Sequence, residues 1–162
     1  MNCDSYHRAQ RARQQIDPEL FDRGPSGRYT HSTGEAAMAI TAPQVKRISP
    51  MLAIADMDAT LEFYTTILEF DVFLKTPEYS IVARDGATIH FMNAASEEVM
   101  KAVRGHTEIY IEVADIAPLW ARVSRFKDKY RIRDLFDRDY GMREFHIGDP
   151  NGCLVFVGQK IP

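Results

Sequence analysis

Cysteine is almost absent: Cys3 and Cys153 are the only two in 162 residues, and they lie at opposite ends of the chain. So distant a pair offers neither a disulfide framework nor a zinc cluster, and a reduced, cytoplasmic protein is the expectation. No apolar run approaches the roughly 20 residues of a membrane-spanning helix. The first residues, Met1-Asn2-Cys3-Asp4-Ser5, lack the apolar stretch of a secretory signal. A glycine-rich phosphate loop and a His-Glu-x-x-His helix are both missing, and no acidic residue stands at a telling spacing to orient a serine–histidine pair. Basic excess is lacking too. The 20 Lys and Arg are outnumbered by 23 Asp and Glu, for a net charge of −3. Residues 1–46 carry a net +1 and the remainder −4. A mildly acidic body is a poor nucleic-acid binder and admits a cationic ligand.

What is present begins late. Residues 1–46 are polar and rich in breakers, as in Arg23-Gly24-Pro25-Ser26-Gly27-Arg28. They read as a poorly structured, flexible N-terminal extension, or as an arm that packs on a partner subunit. From Arg47 the pattern sharpens. Ile48, Pro50, Leu52 and Ile54 alternate with Ser49, Met51, Ala53 and Ala55, the period of a half-buried strand. Asp56 and Asp58 offer caps for a helix with Leu61, Tyr64, Ile67 and Leu68 on one face. Strands follow at Phe70–Lys75, Tyr79–Arg84 and Ala87–Met92, punctuated by Pro77 and Asp85-Gly86. A connecting helix spans Ser96–Arg104. The same order then recurs about 59 residues on, with Val113-Ala114-Asp115 standing to Ile54-Ala55-Asp56. Thr107–Val113 alternates, and Asp115 opens a helix carrying Ile116, Leu119, Trp120, Val123 and Phe126. Trp120 is expected in the core. Two strand–helix–three-strand units make an α+β chain, with modules at about 47–95 and 105–160. One helix per four strands leaves one face of each sheet uncovered, to line a cavity or to pair with another subunit.

The last two strands join through Asp149-Pro150-Asn151-Gly152. These residues predict a type I turn closed by a left-handed glycine, a bulged hairpin. In that register Phe145 faces Val157, Ile147 faces Val155, and His146 faces Phe156 on the other side.

These stretches together resemble the vicinal oxygen chelate superfamily, the glyoxalase/bleomycin resistance/dioxygenase group. The resemblance rests on Ile54-Ala55-Asp56-Met57-Asp58 with Phe63-Tyr64, on Glu112-Val113-Ala114-Asp115-Ile116, and on Tyr140–Phe145 with Asp149–Gly152, and it spans residues 47–160. It implies paired βαβββ modules whose curved mixed sheets enclose a cleft, usually in a homodimer. Metal enzymes of the group draw ligands from four cleft positions, which fall here on Ser49, His90, Glu108 and Phe156. Phenylalanine cannot donate and a neutral serine is a poor ligand. His90 and Glu108 remain, too few for a divalent ion, with His146 a third candidate if the hairpin aims it inward. No metal or other cofactor is therefore expected. His90 reads equally as a hydrogen-bonded residue within a sheet.

The cleft faces read better as a ligand surface. Met51, Tyr110, Phe156, Met92 and Leu154 supply apolar contact; Ser49, His90, Glu108, Glu112, Arg143, Glu144 and His146 supply polar contact. Glu108 and Glu112 favour a cation and the flat aromatics a planar partner, unless the acids are merely solvated and the aromatics fill a subunit interface. The closing hairpin is most similar to the bleomycin resistance branch. That likeness implies sequestration of a cationic or aromatic antibiotic or metabolite without chemistry. A divalent-metal lyase or dioxygenase, and a purely structural or regulatory dimer, are the competing expectations.

Overall fold

The computed structural model describes residues 45–94 and 96–162. The expectations for the N-terminal extension lie outside these residues. Among the described residues, eight strands and three α-helices follow in the order the repeat predicts: β1 (Met51–Ile54), α1 (Met57–Glu62), β2 (Asp71–Lys75), β3 (Tyr79–Arg84), β4 (Ala87–Asn93), α2 (Glu97–Val103), β5 (Glu108–Glu112), α3 (Ala117–Val123), β6 (Ile132–Asp137), β7 (Met142–Gly148) and β8 (Leu154–Lys160). They form two four-stranded sheets, ordered β1-β4-β3-β2 and β5-β8-β7-β6. In each, the first strand runs parallel to the last and the other pairs are antiparallel. Among the described residues, no helix is long and apolar enough to cross a membrane.

The repeat holds to the level of single residues. Met51 pairs with His90 across β1 and β4, and Tyr110 pairs with Phe156 across β5 and β8. Glu108 opens β5 two residues before Tyr110, and Ser49 lies two residues before Met51, just ahead of β1. The four positions that the resemblance singles out are thus equivalent by strand register.

Local chemistry explains the boundaries. Asp56 caps α1 by accepting from the Ala59 N–H at 2.9 Å. After Glu62 the helix widens into a π turn over Phe63–Ile67, which the apolar spacing alone does not reveal. Asp115 is expected to open the second long helix. It accepts from the Ala117 N–H at 3.0 Å, with a proline in the first turn. A bulge between Val72 and Leu74 leaves Phe73 unpaired on the exposed strand β2.

The closing hairpin has the predicted register and turn. Phe145 faces Val157, Ile147 faces Val155 and His146 faces Phe156. The Gly152 N–H donates to the Asp149 carbonyl at 3.1 Å, and Gly152 adopts a φ of 83°, which a side chain would strain. Asp149 Oδ1 accepts from the Asn151 and Cys153 N–H groups at 2.9 and 2.8 Å. Burial pushes the Asp149 carboxyl above its ordinary range despite those bonds.

Both modules share one core. Leu52, Ile54, Val82, Ile89 and Phe91 from the first sheet join Ile109, Phe145, Ile147, Val155 and Val157 from the second. Leu61, Phe63, Tyr64, Ile67, Leu119 and Val123 from the helical segments pack into the same cluster. Trp120 packs on it, tilted against Phe145 with ring centroids 5.4 Å apart. Polar ties cross the module boundary as well. Asn151 in the hairpin turn accepts from the Ala55 N–H and donates to Thr60 Oγ1, both at 2.9 Å.

Candidate functional site

Side chains alternate along a strand, so each sheet has one face in the shared core and one turned away from it. On the first sheet the outer face carries Ser49, Met51 and Ala53 beside Thr88, His90 and Met92, then Tyr79 and Ile81. On the second it carries Glu108, Tyr110 and Glu112 beside Leu154, Phe156 and Gly158, then His146 and Glu144, then Arg133 and Phe136. Two faces on opposite sides of one core cannot face each other. The described chain therefore groups Ser49, Met51 and His90 in one place and Glu108, Tyr110, Glu112, His146 and Phe156 in another.

Arg143 departs from the expectation that it shares the face of Glu144 and His146. It stands one residue before Glu144 and three before His146, so the alternation puts it on the opposite side. Its guanidinium is held there by Asp137 at 2.6 and 2.9 Å. That pair is exposed and holds the Asp137 carboxyl below its ordinary value.

The second face is built on a buried carboxylate that the sequence reading gave only a minor part. Glu144 is 0% exposed. Its Oε1 accepts from the phenols of Tyr140 at 2.6 Å and Tyr110 at 3.1 Å, and its Oε2 accepts from His146 Nε2 at 3.1 Å. Arg138 lies 3.6 Å from Oε2 and donates to the Tyr140 hydroxyl at 2.7 Å. Burial pushes the Glu144 carboxyl up, but the bonds from His146 and Tyr140, the Arg138 charge and the Tyr110 bond outweigh it. The net shift is downward. Burial, followed by the charge of Glu144 and the bond to it, pushes the Tyr110 phenol well above its usual range, so Tyr110 stays protonated and donates.

Ring packing fixes the neighbours. His146 lies 4.1 Å from Phe156 and 5.2 Å from Phe136 between ring centroids, and Tyr110 stacks at 22° to Phe156. His146 and Phe156 are only 2% and 4% exposed, whereas Tyr110 is 45% exposed. Tyr110 reaches Glu144 by crossing Gly158, where an added Cβ would stand 1.9 Å from the Tyr110 hydroxyl. A strand glycine marking such a close approach is a signal the sequence held. Gly158→Ala should displace the ring and cost about 1.5–3 kcal/mol, the loss of one charged hydrogen bond. In urea unfolding, Tyr110→Phe should then add little to Gly158→Ala; fully additive losses would show that the crossing does not depend on the glycine.

On the first face, Ser49 Oγ and Thr88 Oγ1 share a hydrogen bond of 2.5 Å, and His90 Nδ1 is bonded to the Tyr79 hydroxyl. Met51 is 56% exposed and Met92 47%. Glu108 and Glu112 are exposed along the edge strand of the other face.

The model of the Glyoxalase/Bleomycin resistance protein/Dioxygenase superfamily matches residues 44–157. The chain belongs to this superfamily. Solved structures with the same fold include a bleomycin-binding protein from Streptomyces verticillus in complex with copper(II)-bleomycin. It is 21% identical, with a TM-score of 0.60, covering 72% of this chain and 97% of its own. A lactoylglutathione lyase from Agrobacterium tumefaciens is 18% identical, with a TM-score of 0.57, covering 72% and 95%. TnmS3, an antibiotic-binding protein from Streptomyces sp. CB03234, is 17% identical, with a TM-score of 0.54, covering 76% and 99%. No protein of curated function matches the chain in sequence.

The metal that this superfamily's enzymes use finds a poor donor set here. Of the four equivalent positions, Phe156 has no donor atom and Ser49 is engaged with Thr88. Among the described residues, no three His, Cys, Asp or Glu side chains come close enough together to hold a metal ion. Of the four positions, His90 and Glu108 alone carry side chains of the kinds that usually bind a divalent ion, a donor set that does not fit the metal.

Proposed function

We propose that this protein is a metal-free small-molecule-binding protein of the bleomycin resistance type, acting as a homodimer. Two copies bring the first sheet of one against the second sheet of the other, and the cleft between them takes a cationic or aromatic antibiotic or metabolite. Residues 47–160 form the binding domain and residues 1–46 an extension to it. The observation that carries this reading is the pair of outer sheet faces, each bearing exposed Met or Tyr side chains that the chain's own core does not use. Unbranched methionines and half-exposed rings adapt to a planar guest. Glu108 and Glu112 on the edge of one face supply the negative charge that a cation seeks. Sequestration needs no catalytic group, and nothing in the charge distribution calls for nucleic acid.

Thermal unfolding of the full chain with bleomycin, and separately with the planar cation berberine, tests this. A compound at 100 times its dissociation constant should stabilise the protein by about 2.7 kcal/mol. Tyr110→Ala and Met51→Ala should each abolish the shift. No shift with either compound would instead support a structural role. A second reading, a divalent-metal lyase or dioxygenase, draws on the fold shared with a lactoylglutathione lyase. It requires His90 and Glu108 from different copies to meet around one ion.

A further inference from the structure

His90 is the one imidazole on the outer face of the first sheet, and its partner sets what it offers a ligand. The Tyr79 hydroxyl and His90 Nδ1 are hydrogen-bonded, with the two rings edge to face at 78°. Tyr79 stands opposite Met92, diagonal to His90, so the pair spans β3 and β4 on the face that carries Met51. A phenol is a far stronger acid than a neutral imidazole N–H, and an imidazole nitrogen a far stronger base than a phenol oxygen. The favourable arrangement has the phenol donating and Nδ1 accepting. The ring proton then sits on Nε2, the nitrogen farther from the backbone, for which the described residues provide no partner.

We infer that Tyr79 fixes His90 as an outward hydrogen-bond donor, so that this face takes a ligand oxygen or nitrogen acceptor rather than a metal cation. A metal would need the Nε2 lone pair and hence the opposite tautomer, with Nδ1–H donating to the phenol oxygen. Tyr79 is on this account a positioning residue, acting through His90. The inference deepens the small-molecule reading by naming the chemistry of one subsite: a carbonyl, carboxylate or ether oxygen, or an unprotonated ring nitrogen. It also separates two parts of a guest. The cationic part belongs near Glu108 and Glu112, and an acceptor belongs against His90.

Nitrogen NMR on the full chain with labelled histidine, above the titration range of imidazole, reads the tautomer without any ligand. His90→Gln assigns the signals. The expected result is one form, with the proton on Nε2 and an Nδ1 signal displaced by hydrogen bonding; Tyr79→Phe should abolish that displacement while the protein stays folded. Addition of zinc chloride should leave the His90 Nε2 signal unmoved. A proton on Nδ1, comparable populations of both forms, an unchanged Nδ1 signal in Tyr79→Phe, or a zinc-induced shift of Nε2 would each overturn the inference. Because no guest enters these measurements, they stand or fall apart from the binding assay. A protein that binds neither bleomycin nor berberine defeats the proposed function and leaves the tautomer result intact.

Discussion

Asn151→Ala should destabilise the protein by about 3 kcal/mol, although the residue lies in a turn at the end of a hairpin. Its side chain makes two hydrogen bonds that leave its own module, to the Ala55 N–H and to Thr60 Oγ1. Each is worth about 1 kcal/mol net, and a donor or acceptor left unmade out of water adds about 1–3 kcal/mol more. The turn is clamped from a second side by Tyr64, whose buried hydroxyl donates to Asp149 Oδ2 at 3.3 Å. Asn151 therefore joins the start of the first module to the end of the second, and the loss should appear as a lower midpoint in urea with an unchanged slope. Thr60→Val combined with Asn151→Ala should cost clearly less than the two separate losses, since both break the same bond. Additive losses would show that the residues act independently.

Among the described residues, Glu144 should be the most costly carboxylate to neutralise. Four side chains converge on it, and Glu144→Gln removes the charge that aligns them while keeping the shape. The expected loss at neutral pH is about 2–3 kcal/mol, the range for buried hydrogen bonds to a charged group. The sign of the pH dependence follows from the downward shift of its carboxyl. Stability from a depressed carboxylate is complete above the unfolded value of a glutamate and disappears as pH falls through the lower folded value. Wild type and Glu144→Gln should therefore converge as the solution is acidified through and below the ordinary glutamate range. Asp149 has the opposite sign, because its raised carboxyl favours the folded state at low pH and that contribution is lost as pH rises through the raised value. Urea unfolding at a series of pH values measures the difference between the two proteins, from which Asp149 cancels. A gap that stays constant into acid would show that the Glu144 charge plays no part.

How far the sequence was legible depends on the range of the interaction involved. The doubled βαβββ order, the cap at Asp56, the helix start after Asp115 and the pairing of His146 with Phe156 follow from alternation and turn chemistry, which act over a few residues. The π turn after Glu62 was not legible, since the apolar spacing of Leu61, Tyr64, Ile67 and Leu68 suits an ordinary helix. Arg143 was misplaced because it was grouped with Glu144 by proximity, against the two-residue period that separates them. Glu144 drew little notice because an acid between Arg143 and Phe145 reads as a surface residue. Its burial depends on Tyr110, Tyr140 and Arg138, which come from other strands and loops. The separation of Ser49 and His90 from Glu108 and Phe156 is a fact of how the two modules share a core, and no local pattern encodes it.

That separation shapes the functional account. A ligand confined to one copy would touch either the methionine-rich first face or the tyrosine and glutamate of the second. In the proposed homodimer, Met51 and His90 of one copy would meet Tyr110 and Glu108 of the other. The same pairing would bring the four superfamily ligand positions together, so the donor set decides between binding and metal chemistry. One imidazole and one carboxylate, beside a serine engaged with Thr88 and a phenylalanine, favour binding.

Metal content tests this most directly. The full chain is purified, equilibrated in turn with zinc, nickel and manganese salts, freed of loose ions and analysed by mass spectrometry of the elements, alongside His90→Ala and Glu108→Ala. The account predicts far less than one ion per chain for wild type, unchanged in either variant. One tightly held divalent ion per chain, lost in both variants, would contradict it.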